Sequence, residues 1–337
     1  MELNLRICVR LPNWLGDTIM SLGFLHLLRE AYPSAEISVV VKKGLEGIVA
    51  LLPDIKHIYL FSKEERKGLR GVWSFGRNLK SIQKFDLFFV LPDSFSSAVM
   101  AFGSGAKKRI GFGAQGRGFL LTNSYQKPSG RHRVEEYSAI IQLYKPDSIH
   151  TKPLVHLPLI ANKSSQPYII INTNSESVTS RLPVKKAVEL ISIFQQYNLP
   201  VKLIGGSKEV AYVNEIFNLL PHQKDTEVLS GKTNLYELIT LLQGASFVIS
   251  SDSGPAHIAS ASGIPTVVVT GAGDERNTGP YYNKKAVTIR NGTLPCEPCV
   301  KNYCKLGPLP QCLVQLELQK VTAAADDLLN QLKKDEK

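Results

Sequence analysis

Short apolar runs rich in β-branched residues alternate along the chain with longer stretches of helical period. LRICVRL (5–11) reads as a strand, and TIMSLGFLHLLREAY (18–32) carries its apolar residues at helical spacing until Pro33 stops it. EISVVVK (36–42) is the next strand, with a helix expected across GLEGIVALL (44–52). IKHIYLF (55–61) and FDLFFVL (85–91) are further β-rich runs, and residues 63–84 between them read as a basic loop and helix. The stretch 145–167 is rich in Pro and polar residues without a helical period and reads as a linker. A second cycle follows. YIIIN (168–172), PVKLIGG (200–206), SFVISSD (246–252) and PTVVVTG (265–271) are short strands ending in Asn, Gly or Asp. Helices are expected over 184–197, 209–220, 234–244 and 255–262, with an amphipathic helix at the tail. This βαβ rhythm predicts an α/β fold with parallel sheets in two domains, residues 1–160 and 161–337.

Size and composition suit that division: 337 residues suffice for two cores, and 43% hydrophobic with 20% charged residues is ordinary for a globular chain. No apolar run approaches the ~18–20 residues of a membrane span. The opening MELNLRICVRLPNW alternates like a strand and lacks the regions of a signal peptide, so a cytoplasmic location is expected. Charge changes the picture more. Of the net +11, residues 1–160 hold 22 Lys+Arg against 13 Asp+Glu, while residues 161–337 hold 18 against 16. A basic first half points to an anionic partner (nucleic acid, a membrane surface, or a phosphate- or carboxylate-bearing substrate) or to a plain solvated lysine surface.

In open parallel sheets ligands bind beyond the carboxyl ends of the strands, so the loops there hold the candidate chemistry. The first, LPNWLGDTIM (11–20), is no G-x-G-x-x-G turn, and none opens the second half, which argues against a dehydrogenase. Asp17 in this loop admits two readings, a helix cap or a general base. The strongest constellation is ISSDSGPAHIASASGIPTVVV (249–269). A strand runs into Ser251, Asp252, Ser253 and Gly254, a helix starts near Pro255, and His257 lies on its first turn. The N–H groups and dipole of a helix start make a diphosphate site; the plainer reading is a capped helix with a packing histidine. No Asp-x-Asp pair occurs, so a diphosphate held without a divalent cation or other cofactor is expected. Cys8 sits in a strand and reads as core. Cys296, Cys299, Cys304 and Cys312, spaced x2, x4 and x7, suggest a structural Zn²⁺, or else free thiols or a redox pair.

The strand–SDSGPAHIA–GIPTVVV block resembles the glycosyltransferase family 9 heptosyltransferases, which build the inner core of lipopolysaccharide. RLPNWLGDTIMSLGFLHLLREAYPSAEISVVV (10–41) resembles that family's first strand, Gly-Asp turn and helix. LIGGSKE (203–209) looks like its strand–Gly-Gly–acidic turn, and GRHRVEEY (130–137) like the segment before its domain linker. The likeness implies the GT-B architecture, two Rossmann-like domains whose parallel sheets face a central cleft. It also implies inverting transfer of a heptose from ADP-heptose to an anionic lipid-linked saccharide. That acceptor lies at the inner face of the inner membrane, with the enzyme peripheral to it and no nucleic acid as partner. By motif, Asp17 corresponds to the general base. Thr173, Arg181, Glu209, Ser251, Asp252, Ser253, Gly254 and His257 match the nucleotide-sugar side. The family's Lys-Arg-Trp-Pro stands here as Ser180, Arg181, Leu182 and Pro183, which leaves Arg181 to hold the departing ADP. Asn13, Lys107, Lys108, Arg109, Arg131 and Arg133 are the candidate acceptor contacts in the basic half. Two other classes are weighed. Asp17 on the acceptor side disfavours a nucleotide-sugar epimerase, and the lack of an RNP-type motif, helix-turn-helix signal or basic arm disfavours a nucleic-acid-binding protein.

Overall fold

A computed structural model of the chain describes residues 5–160, 164 and 166–335; positions 161–163 and 165 of the expected linker lie outside the described residues. The chain divides into two compact units, Met1–Pro158 and Leu159–Lys337. The first runs β1 (Arg6–Arg10), α1 (Leu15–Met20), α2 (Leu22–Ala31), β2 (Glu36–Lys42), α3 (Glu46–Val49), β3 (Ile55–Phe61), α4 (Gly68–Ile82), β4 (Leu87–Val90), α5 (Phe95–Gly103), β5 (Lys108–Phe112), β6 (Asn123–Tyr125) and α6 (Arg133–Tyr144). Its six strands are parallel in the order β3-β2-β1-β4-β5-β6. Helices cover both faces, which is why β4 reads as an unbroken apolar run and every residue of β1 after Arg6 is buried, Arg10 included. On one face Val72, Phe75 and Leu79 of α4 and Met100 of α5 pack with Cys8, Phe88 and Val90. On the other, Phe24 of α2 and Tyr144 of α6 meet the Phe89 ring edge-on.

The second unit runs β7 (Ile169–Asn172), α7 (Val184–Gln195), β8 (Val201–Leu203), α8 (Val210–Asn218), β9 (Thr226–Val228), α9 (Leu235–Gly244), β10 (Phe247–Ser251), α10 (Gly254–Ala261), β11 (Thr266–Val269), α11 (Glu275–Thr278), β12 (Ala286–Ile289), α12 (Gln311–Val314) and α13 (Leu318–Asp335). Its parallel strands lie in the order β12-β11-β10-β7-β8-β9. Counted within the unit this is the same doubly wound order as the first. Each sheet therefore reverses its winding at one place, between β1 and β4 and between β7 and β10, where such sheets bind ligands. Among the described residues no helix is long and apolar enough to cross a membrane.

Three expectations are corrected. The helix expected over 18–32 begins earlier, at Leu15, and breaks at Ser21 into α1 and α2. The helix expected over 44–52 shrinks to the single turn of α3. Lys108 and Arg109, candidate acceptor cations by sequence, lie not on a loop but in strand β5, with Lys108 opposite Leu87 and Arg109 opposite Phe88.

Helices α4 and α5 touch through glycine. A Cβ added at Gly76 would lie 2.4 Å from the Met100 carbonyl oxygen. Gly76→Val is expected to push the two helices apart and cost about 1–3 kcal/mol in urea denaturation, as overpacking does. A variant as stable as the parent contradicts that close approach.

Candidate functional site

In the first unit the residues after β1 form a loop shaped by a buried arginine. Arg10 donates to the carbonyls of Leu11 (2.7 Å) and Val40 (3.1 Å) and to the Asn13 side chain, and its guanidinium lies over the Phe61 ring. Burial pushes its pKa down to about 10. Asn13 is thus occupied in holding the loop. Trp14, 56% exposed, is the N-cap residue of α1 and makes no side-chain capping bond.

Asp17 is not a cap. It is the third residue of α1, and its Oδ1 accepts a 2.6 Å hydrogen bond from the Tyr137 hydroxyl of α6. The Asp17 side chain is 26% exposed, so one side is held by protein and the other stays open to water. Tyr137 is buried. Burial, then the Asp17 charge and hydrogen bond, hold its hydroxyl well above the usual tyrosine range, so it remains the donor. Arg133 Nε lies 3.9 Å from Asp17 Oδ1, and Arg133 Nη1 lies 3.2 Å from Glu136. Lys127 bridges Glu136 (3.2 Å) and Asp93 (2.9 Å), and Asp93 faces the fully buried Arg117 at 3.8 Å. This alternating row of charges joins the loops after β4, β5 and β6 to Asp17. Tyr137, Glu136, Asp93, Lys127 and Arg117 escaped the sequence reading; the only signal was the pairing of cations with acids in GRHRVEEY.

The candidate acceptor cations separate. Arg133 belongs to the row just described, and Arg131 is exposed beside it. Lys107, Lys108 and Arg109 do not join them. They stand at the amino-terminal end of β5, opposite the sheet edge that carries Asp17. Lys107 pairs with Asp86 at 2.8 Å, and Arg109 donates to the carbonyls of Leu120 and Ala106.

In the second unit the two strand ends at the reversal are tied by amides and hydroxyls. Asn172 Nδ2 donates to Ser253 Oγ (2.8 Å) and Ser250 Oγ (3.0 Å), joining the ends of β7 and β10. Asn174 Nδ2 donates to the Ile204 carbonyl at the end of β8 (2.6 Å), and the Ser251 hydroxyl donates to the Asn174 carbonyl. Both asparagines were missed as site-builders. Ser251, Asp252, Ser253, Gly254 and His257 therefore lie together at the start of α10, beside Thr173. Arg181 is anchored rather than loose: it donates to the Ser175 carbonyl at 2.9 Å and lies over the Tyr212 ring. Leu182 is buried in the core. Glu209 lies against the Gly205-Gly206 turn, where a Cβ on Gly206 would come 2.8 Å from its Oε2.

Cys8 is fully buried, and burial raises its thiol pKa well above the ordinary range. The four clustered cysteines line one cavity of about 350 Å³ with Thr179, Ala272 and Tyr303. They do not converge: among the described residues no group of three or more His, Cys, Asp or Glu side chains is placed to hold a metal ion. The structure does not support the zinc reading. The cysteine segment instead buttresses the loop after β7, where the Thr179 hydroxyl donates to the Lys301 carbonyl at 2.7 Å.

The sequence model of glycosyltransferase family 9 (heptosyltransferase) matches residues 72–309. The chain belongs to this family and is a glycosyltransferase. It is 25% identical over 335 residues to lipooligosaccharide heptosyltransferase 2 of Campylobacter jejuni, covering 96% of this chain and 98% of that one. It is 25% identical over 289 residues to the lipopolysaccharide core heptosyltransferase OpsX of Haemophilus influenzae, 82% of each chain. Its fold matches the solved structure of the Escherichia coli ADP-heptose lps heptosyltransferase II with a TM-score of 0.82 at 24% identity, over 98% of this chain and 100% of that one. The GT-B fold class follows from the two parallel six-stranded sheets and this match.

Burial raises the Asp252 carboxyl above its usual range, against the opposing pull of His257. A folded carboxyl that holds its proton to higher pH than the unfolded one (about 3.9) makes stability fall as pH rises through that window. Asp252→Asn removes this cost. The variant is expected to be more stable than the parent at pH 7 in urea denaturation, the gap closing as pH drops below about 4. A variant less stable at pH 7 contradicts it.

Proposed function

We propose that this glycosyltransferase moves a heptose from ADP-heptose to the inner core of lipopolysaccharide with inversion at the anomeric carbon. Asp17 takes the proton from the acceptor hydroxyl as that oxygen attacks. The first unit holds the anionic acceptor, with Arg131 and Arg133 nearest the base. The second holds the nucleotide sugar. There the Ser251–Gly254 turn, the start of α10, His257, Thr173 and Glu209 surround the nucleotide, and Arg181 offsets the charge of the leaving diphosphate. This site needs no metal. The enzyme works on the cytoplasmic face of the inner membrane as a peripheral protein.

One observation carries the reading. Asp17 is released from capping, held on one side by the Tyr137 hydroxyl, and open on the other at the place where its sheet reverses. A structural carboxylate in a first helical turn needs no such clamp. The relatives support the substrate pair: the solved Escherichia coli protein is an ADP-heptose lps heptosyltransferase, and the Haemophilus influenzae relative is a lipopolysaccharide core heptosyltransferase.

The test is incubation with ADP-heptose and a panel of truncated lipopolysaccharides, read by mass spectrometry. A gain of one heptose on one acceptor is expected; no gain on any of them contradicts the reading. Gly254→Val, which puts a branched side chain where the backbone is to meet the diphosphate, is expected to keep its fold and lose ADP-heptose binding in calorimetry. Unimpaired binding places the nucleotide elsewhere.

A further inference from the structure

The site does not absorb the cationic excess of the first unit. Residues 63–84 hold seven Lys and Arg against two Glu, and α4 itself has no acidic residue. Its inward side, Val72, Phe75, Gly76 and Leu79, is buried. Its outward side presents Leu69 (52% exposed), Arg70, Trp73 (45% exposed), Arg77 and Lys80, which helical spacing gathers into one stripe. The Arg77 guanidinium lies 5.4 Å from the Trp73 ring centroid. Helix α5 extends the stripe. The Trp73 ring abuts Gly103, where an added Cβ would meet its Cδ1 at 3.3 Å. The preceding residue, Phe102, is half exposed beneath the Arg109 guanidinium, 5.4 Å from its ring centroid.

We propose that this face of α4, with Phe102 and Arg109 of the neighbouring segment, docks on an anionic phospholipid bilayer. A surface of Leu, Trp and Phe set among cations has the composition of helices that lie in the headgroup layer. The apolar side chains reach the acyl boundary, and each Lys or Arg near the surface adds attraction to acidic lipid. Single-stranded nucleic acid also pairs aromatics with cations, but it stacks bases on open ring faces, and here each ring carries a guanidinium over one face. Helix α4 begins after β3, at the carboxyl edge of the sheet that also bears Asp17. Leu69 and Arg70 lie at that edge and Arg109 at the opposite one, and the docking does not rest on the proposed function.

The test is co-sedimentation with phosphatidylcholine vesicles, with and without about 30% phosphatidylglycerol, in the absence of donor and acceptor. The outcome is therefore independent of heptosyl transfer. The parent is expected to bind the anionic vesicles only, and less as salt rises. The triple variant Arg70→Glu, Arg77→Glu, Lys80→Glu is expected to lose at least about tenfold in affinity while melting like the parent. In a Trp14→Phe background, the fluorescence of Trp73 is expected to shift to the blue on anionic vesicles, a readout that leaves the cationic face intact. The proposal is overturned if the parent ignores anionic vesicles, if the charge-reversed variant binds as well, if Trp73 emission does not move, or if the stripe serves a single-stranded oligonucleotide in place of vesicles.

Discussion

A guanidinium sealed from water organises the first unit. Arg117 donates to the carbonyls of Phe112 (2.8 Å), Ser94 (2.9 Å) and Pro92 and to the Ser97 hydroxyl, which pins the segments after β4 and β5 together. Burying a charge is costly unless an opposite charge and hydrogen bonds accompany it. Asp93, Lys127, Glu136, Arg133 and Asp17 follow in alternating sign, joined by ion pairs, while Arg117 Nη2, Asp93 Oδ1, Arg133 Nε and Glu136 Oε2 are buried without a hydrogen bond. Asp93 and Glu136 each face two cations, so truncating Lys127 would remove one ion pair from both, and the members are coupled. Asp17 is its outer end, and Tyr137 fixes that end by a hydrogen bond between residues 120 positions apart.

The second unit solves the same geometric problem without a row of ions. Asn172, Asn174, Ser250, Ser251 and Ser253 knit the strand ends through neutral groups. A turn built from dipoles leaves the field of α10 uncompensated for an incoming anion. The one acid in it, Asp252, is partly buried, and its charged form is disfavoured by burial. Arg290 holds the adjacent loop after β11 by donating to the Gly271 carbonyl and pairing with Glu275.

Strands rich in Val, Ile and Phe could be read from the chain because both their faces are buried. Strand β5 could not: it and the residue before it, KKRIGF (107–112), open with three cations, which are tolerated because Lys107 meets Asp86 and the Arg109 guanidinium lies over the Phe102 ring. The Ser-Asp-Ser-Gly turn was legible because the strand end, the turn and the helix start are contiguous in sequence. The clamp on Asp17 was not, since its partners come from α6. Nor was the placement of the cysteines: their spacing fits a metal site, but the backbone spreads them around a cavity.

The central claim is that Asp17 serves the reaction and not the helix. Asn in its place can still accept the Tyr137 hydroxyl but takes no proton at neutral pH. Single-turnover and steady-state rates of Asp17→Asn, beside its melting curve and ADP-heptose affinity, decide the matter. The expected result is a parent-like fold and donor affinity with kcat lowered at least about a hundredfold. A stable Asp17→Asn protein that turns over at nearly the parental rate would contradict the account.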